Sequence, residues 1–315
     1  MRILVTGAAG FIGSHVAQAY ARQGHDVAGI DNLVTGNREN LSSGISFFQF
    51  DLCDDRQLLA LLRDFRPEVI SHHAAQVNVR RSSEDPLADL RSNILASVVL
   101  FRIATEVVSR PLIIYSSSGG AVYGEPKRLP VKETHPVHPS SNYGVSKYAA
   151  ELYLSAFQGN GLLRSIIFRY PNVFGPGQDP AGEAGVVAVF TNQLLSGVPP
   201  RIFGDGSKTR DYTYVDDIVD ANLRALRFPG SGVFNLGSGR ETSDLEVFRA
   251  VRAAVGAKID PIFEQKRPGE VNHICLDTHL ARKCLRWKPR VKFRDGVKRV
   301  VEYWRKRSKV SSARS

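Results

Sequence analysis

Ile3-Leu4-Val5-Thr6-Gly7-Ala8-Ala9-Gly10-Phe11-Ile12-Gly13 opens the chain with a short apolar run, and its glycines are spaced G-x-x-G-x-x-G. The run predicts a buried strand, and the stretch from Phe11 to about Gln23 predicts a helix. Glycines between such elements permit a tight turn, close backbone approach to a pyrophosphate and close helix–strand contact, while the helix N-terminus attracts phosphate. The spacing differs from the usual G-x-G-x-x-G, so the strand–loop–helix setting carries the argument. A second strand over 26–30 ends in Asp31. A carboxylate there is placed to accept hydrogen bonds from a ribose diol and to repel a 2′-phosphate, which favours NAD over NADP.

Outward from that opening, strands and helices alternate as an open parallel sheet requires. Residues 46–50 read as a third strand ending at Asp51-Leu52, and 68–71 as a fourth ending in His72-His73-Ala74-Ala75-Gln76. One long helix over 86–108 carries Asn93. Leu112-Ile113-Ile114-Tyr115 then delivers Ser116, Ser117 and Ser118, and 163–169 forms a sixth strand. The fold class is α/β: a Rossmann doubly wound parallel sheet with a smaller, interleaved substrate-binding α/β domain. Ligands of such sheets lie beyond the carboxyl ends of the strands, where Asp51, Ala74, Ala75 and Ser116 to Ser118 fall. His72 and His73 are adjacent on a strand and point to opposite faces, so they read as packing or loop residues and no metal site is expected.

The segment after Asn142 reads as a helix with Tyr143 and Lys147 one turn apart. A phenol of pKa about 10 needs about 4 kcal/mol to serve as a base near neutrality. One ammonium at about 4 Å supplies roughly that much at an effective dielectric near 20. A serine from the strand tip could hold the same substrate hydroxyl, with Ser118 as the candidate and Ser117 as its rival.

Formal charge is +11, but residues 288–315 hold eleven Lys/Arg against Asp295 and Glu302, leaving the rest near neutral. The basic residues thus form a tail over 306–315, read as frayed, rather than a nucleic-acid-binding face. No apolar run reaches membrane-spanning length, and Met1 leads directly into a strand, so neither membrane span nor signal peptide is expected. Cys53, Cys275 and Cys284 are scattered and show neither disulfide nor metal spacing, which points to the cytoplasm.

In the second half, 186–195 reads as an apolar helix. Residues 200–203, the Gly204-Asp205-Gly206 turn and 210–217 read as a hairpin feeding a helix capped by an aspartate. Arg210 and Arg267, on separate loops, suit a diphosphate, because guanidinium forks bind phosphate oxygens bidentately. Val297, Val300, Val301 and Trp304 mark a last amphipathic helix.

The glycine loop, Asp31-Asn32-Leu33, the serine tip, Tyr143-x-x-x-Lys147 and the run from Arg169 through Asn172 to Pro176 together resemble the extended short-chain dehydrogenase/reductase superfamily. Within it the chain is similar to the NAD-dependent UDP-glucose 4-epimerases, from Met1 to about Trp304. The resemblance implies NAD that is tightly bound and regenerated each cycle, with Tyr143 as base, Ser118 on the hydroxyl and Lys147 on the nicotinamide ribose. It implies a cofactor pocket of Gly7, Gly10, Phe11, Ile12, Gly13, Asp31, Asn32, Asp51, Leu52, Ala74, Ala75, Gln76, Asn93, Ser116 and Pro171, beside Tyr143 and Lys147. It puts Asn172, Arg210 and Arg267 on the UDP-sugar and Phe203 near the uracil. Val186 stands where the best-known epimerases carry asparagine, and Ile274 where the family lines the hexose C2 side. Gly119, Gly120 and Ala121 occupy the place where related dehydratases and decarboxylases carry acids, which excludes those activities. A UDP-glucuronate epimerase, another NDP-sugar epimerase or reductase, and a non-catalytic NAD-binding regulator are the alternatives. Residues 1–170, with 213–240 returning to them, form the expected cofactor domain, and 171–212 with 241–305 the substrate domain. The helices over 86–108 and 143–157 resemble those through which the family forms homodimers by a four-helix contact.

Overall fold

The computed structural model describes residues 1–180, 185–266 and 271–312. The first four strands and the helices between them follow in order: β1 (Arg2–Thr6), α1 (Phe11–Arg22), β2 (Asp26–Asp31), β3 (Ser46–Gln49), α2 (Asp55–Phe65) and β4 (Val69–His72). Next come α3 (Val79–Glu84), α4 (Pro86–Asp89), a π-helical turn over Leu90–Leu95, α5 (Ala96–Val107), β5 (Leu112–Ser118), α6 (Gly119–Val122), α7 (Asn142–Gly159) and β6 (Arg164–Tyr170). The remainder comprises β7 (Asn172–Phe174), α8 (Val186–Leu195), β8 (Arg201–Phe203), β9 (Thr209–Tyr214), α9 (Val215–Ala225), β10 (Gly232–Asn235), β11 (Glu241–Ser243), α10 (Asp244–Val255), β12 (Ile262–Glu264), α11 (His279–Leu285) and α12 (Phe293–Ser312).

The apolar runs become the inner strands of a seven-stranded parallel sheet in the order β10-β6-β5-β4-β1-β2-β3. Both faces are covered, so successive side chains feed two different cores. Ile3, Val5, Ile114 and Ile166 pack with Val16, Tyr20 and Ile218 on one face. Leu4, Ile113 and Ile167 pack with Leu58, Phe101 and Leu154 on the other. Strand order reverses between β1 and β4, which opens a crevice at their carboxyl ends. Residues beyond β9 return to this sheet, since β10 pairs with β6 in register Phe234 to Phe168. No helix among the described residues is long and apolar enough to cross a membrane.

Four expectations change. The helix over 86–108 is broken by the π-helical turn, where the Asn93 carbonyl accepts the Ser97 hydroxyl at 2.5 Å and the Asn93 amide reaches Gln76 and Ser146. Strands β8 and β9 do not form a hairpin. β8 pairs with β12, whereas β9 lies between β7 and β11 in a separate three-stranded sheet. Residues Asp211 to Tyr214 of β9 are all buried and so need a partner on each side, which a two-stranded hairpin cannot give. Helix α9 has no aspartate cap: Tyr214 is its N-cap, and the Asp217 carboxylate accepts Arg290 N at 2.8 Å and Val291 N at 3.1 Å. The basic end is helical as far as Ser312, because α12 continues into it, and residues 313–315 lie outside the described ones. Val297, Val300 and Val301 of α12 are buried, as their spacing predicts.

Candidate active site

At the crevice, Gly7 turns the chain after β1 with φ of +63°, and a Cβ there would lie 2.6 Å from Ala74 N. A side chain at Gly13 would strike the Gly7 carbonyl, so both positions require glycine for the loop to lie flat against β4 and α1. Helix α1 starts at Gly10 with no side-chain cap, leaving its first N–H groups to a ligand or water. Beside it, Asp31 accepts Ala9 N at 3.0 Å and Leu33 N at 2.8 Å, which fixes the carboxylate at the tip of β2. Asn32 donates to Asp51 at 3.1 Å, and Cys53 N donates to it at 2.9 Å. Burial opposes ionisation of Asp51, but these bonds outweigh it and hold its pKa below the ordinary value. Ala74 N is tied to Thr6 Oγ1 at 3.2 Å, and Gln76 N to Asn93 Oδ1 at 2.8 Å. Phe11, Ile12 and Leu33 are partly buried around this rim, and Leu52 is buried. A bare glycine cradle, an uncapped helix start and a fixed carboxylate on the neighbouring strand fit a dinucleotide.

Across the crevice, the three serines of β5 point different ways. Ser116 donates to the His72 carbonyl at 2.9 Å, and Ser117 turns into the core to donate to Glu151. Ser118, half-buried, lies beside Tyr143, close enough to oppose the rise of its pKa. Helix α7 is set by Ser141, whose hydroxyl accepts Gly144 N at 3.1 Å. Gly144 allows close approach, since a Cβ there would lie 2.6 Å from the Ala121 carbonyl. One turn along, Lys147 is 3% exposed, with Nζ 4.6 Å from the centre of the Tyr115 ring.

The electrostatics depart from expectation. Burial pushes the Tyr143 phenol up to about 12, which Ser118 opposes and Asp89 reinforces. Burial also lowers Lys147 to about 7, against the attraction of Glu151 and Asp89. The lysine one turn along does not by itself offset that burial.

Sequence reasoning missed the network behind these groups. Glu151 receives the Arg169 guanidinium at 2.6 Å through Nη2 and 3.1 Å through Nε, with both side chains almost fully buried. Arg169 Nη1 donates to Tyr123 at 2.8 Å, and Tyr123 donates to Asn235 Oδ1 at 2.8 Å. A signal existed, because Glu151 follows Lys147 by one turn and Tyr143 by two, on the same helix face.

The second half brings Asn172, Phe203 and Arg210 to partly buried positions on β7, β8 and β9, and Val186 to the start of α8. Arg210 donates to the Thr209 carbonyl at 2.8 Å. Phe203, Lys208, Lys266 and Asn272 line a cleft of about 320 Å³. Arg267 lies outside the described residues. Ile274 is 1% exposed and packs with Val122, Tyr123, Val131 and Leu276 rather than fronting open space. The organising residue here is Asp211, also missed. It accepts Ser238 N at 2.7 Å, Ser238 Oγ at 2.6 Å, Gly239 N at 3.1 Å and Leu276 N at 3.2 Å. Burial raises its pKa, and those four bonds oppose the rise. A second carboxylate, Glu125, accepts Asn272 N at 2.6 Å and His273 N at 3.2 Å.

His72 and His73 do face opposite ways: His72 bonds Thr6 and Ser97, while His73 stacks on Tyr170. Among the described residues no three His, Cys, Asp or Glu side chains are grouped to hold a metal. A separate cleft of about 360 Å³, lined by His15, Glu39, Tyr303 and Arg307 among others, lies away from these reactive groups.

Residues 3–237 match the NAD dependent epimerase/dehydratase family. The chain is 45% identical to a UDP-glucose 4-epimerase of Mycolicibacterium smegmatis, over 98% of this chain and 100% of that one. The crystal structure of a Thermotoga maritima UDP-glucose 4-epimerase with UDP-glucose superposes with a TM-score of 0.95 at 42% identity, covering 98% and 100% of the two chains. A Thermus thermophilus UDP-glucose 4-epimerase in complex with NAD gives 0.91 at 40% identity, covering 97% and 99%.

Proposed function

The chain belongs to the NAD dependent epimerase/dehydratase family, and we propose that it interconverts UDP-glucose and UDP-galactose at C4 through a 4-keto intermediate. The observation that carries this reading is the placement of Tyr143 beside the strand-tip Ser118, with Lys147 one turn along α7, opposite a glycine cradle. NAD, when bound, supplies a hydride acceptor that becomes the donor of the return half-reaction, together with a positively charged ring. Gly7 to Gly13 and the start of α1 would hold its pyrophosphate, and Asp31 a ribose.

Tyr143, as phenolate, takes the proton of the sugar 4-hydroxyl as hydride leaves C4, and gives it back as hydride returns to C4 after the sugar has turned, so no net redox change remains. Ser118 shares that hydroxyl and fixes its direction; its place beside Tyr143 supports it over Ser117, which is engaged by Glu151. Bringing a phenol from about 12 to neutrality takes roughly 7 kcal/mol. One ammonium at about 4 Å supplies roughly 4 kcal/mol. Lys147 therefore needs a second positive charge, which makes the phenolate a property of the loaded site. Asn172, Phe203 and Arg210 anchor the nucleotide, while the hexose is held loosely enough to turn.

The same reading assigns 1–170 and 213–240 to the cofactor and 171–212 with 241–305 to the substrate. It pairs two chains through the apolar side chains exposed on α4, the π-helical turn and α7: Leu87, Leu95, Val145, Leu152 and Tyr153. Three free cysteines agree with a reducing cytoplasm. Incubating the purified protein with UDP-glucose and no added cofactor tests the activity. UDP-galactose is the expected product, and its absence even after NAD is supplied would refute the reading.

A further inference from the structure

Two consecutive glycines follow the catalytic serine, and only the first is required by packing. Both lie in the helical turn α6, and neither has the positive φ that calls for glycine. A Cβ at Gly119 would lie 2.5 Å from Cδ1 of the fully buried Leu276 and 3.3 Å from the Arg169 carbonyl, so a side chain there would have to displace core. At Gly120 the nearest atoms to a Cβ would be Asn172 Oδ1 at 3.6 Å and Ser118 Oγ at 3.9 Å, which is ordinary contact distance. Position 120 therefore faces the site itself, between the serine that holds the 4-hydroxyl and the amide proposed to hold the sugar nucleotide. Neither backbone nor packing accounts for the missing side chain.

We propose that Gly120 is a specificity-determining position whose bareness leaves room for the substituent on the ring carbon next to C4 while the keto sugar turns over. The inference rests on the epimerase reading above. Presenting the opposite ring face with O4 still at Tyr143 and Ser118 requires a half-turn about the C4–O4 direction. That turn exchanges C3 and C5, so the space beside C4 holds a hydroxyl in one orientation and a hydroxymethyl in the other. The larger group must fit there for both half-reactions to run. In a pentose, C5 carries only hydrogen and the demand disappears.

The test uses Gly120→Ala and Gly120→Val in the full chain. Each is first titrated with UDP, whose affinity should match the parent because the added Cβ meets Asn172 Oδ1 only at ordinary contact distance. Loss of UDP binding in both variants would overturn the claim that the position is open. Single-turnover reduction of bound NAD is then followed by absorbance, separately with UDP-glucose and UDP-galactose. One added carbon in a fitted site changes rates by roughly 10- to 200-fold. Gly120→Val should slow the reduction by one epimer by at least about tenfold more than by the other. It should also lower the hexose rate relative to any turnover of UDP-xylose or UDP-arabinopyranose. Equal slowing by both epimers, or none, in a variant that binds UDP normally overturns the inference. A parent protein that converts no UDP-glucose would instead sink the underlying reading.

Discussion

The two halves of the molecule hold their functional side chains by different means. Around the seven-stranded sheet, Ser118, Tyr143 and Lys147 sit on β5 and α7, whose inner faces are packed in the core, and a buried Glu151–Arg169 pair ties α7 to β6 directly behind them. In the second half, Arg210 and Leu276 lie on short strands and loops held to Ser238, beyond β10, by the single carboxylate of Asp211, and Glu125, from before α7, latches the backbone at 272–273. One half is built for fixed geometry at a reacting atom. The other, on the proposed function, holds the nucleotide through short segments tied by single carboxylates. Substitutions in the first half should therefore act on kcat and stability, and those in the second on KM.

The largest effect is expected at the base. Tyr143→Phe should lower kcat by roughly 10²- to 10⁴-fold, the usual range for general acid–base catalysis, while NAD stays bound. Steady-state kinetics with UDP-glucose measures it, and near-normal kcat would break the assignment of chemistry to the sheet half.

Next comes the pair behind it. Glu151→Ala leaves the buried Arg169 charge uncompensated and should cost about 3–5 kcal/mol of stability by denaturant titration. A loss under about 1 kcal/mol would mean that water reaches the network.

Lys147 gives a pH signature. Its folded pKa of about 7 lies below the ordinary lysine value of 10.5, so between these values the unfolded chain binds more protons than the folded one. Its contribution to the stability of the NAD-free protein is therefore most unfavourable below pH 7 and improves as pH rises toward 10.5. The slope is at most about 1.4 kcal/mol per pH unit. Thermal melts across that window should show the rise, and Lys147→Met should flatten it. An unchanged slope in the variant would place the shift elsewhere.

The smallest effect belongs to the loops. Asp211→Asn puts an amide N–H where donors converge, and weakening a bond to a charged acceptor costs about 1.5–3 kcal/mol. KM for the UDP-sugar should rise while kcat holds within a fewfold. A kcat-only effect would erase the distinction between the halves.

The same contrast governs what is legible in the sequence. The glycine loop, Asp31 and the strands through Ile113 and Ile166 can be read there because a doubly covered parallel sheet writes itself as apolar runs with turns at fixed places. Tyr143 and Lys147 can be read because helical spacing places them. Strands β8 and β9 mislead because three to six residues around a glycine turn specify a bend without specifying a partner. The π-helical turn at Asn93 arises from side-chain bonds to residues distant in sequence, which no local pattern encodes. The tyrosine pKa escapes the sequence because charge can be counted along a helix, whereas burial requires the packed structure.

The central claim is that hydride leaves C4 and returns to C4 of the same sugar. UDP-glucose carrying deuterium at C4, incubated with the protein in ordinary water, tests it most directly. The account predicts UDP-galactose that keeps its deuterium at C4, read by mass spectrometry. Product with the deuterium lost to solvent would mean proton abstraction in place of hydride transfer and would contradict it.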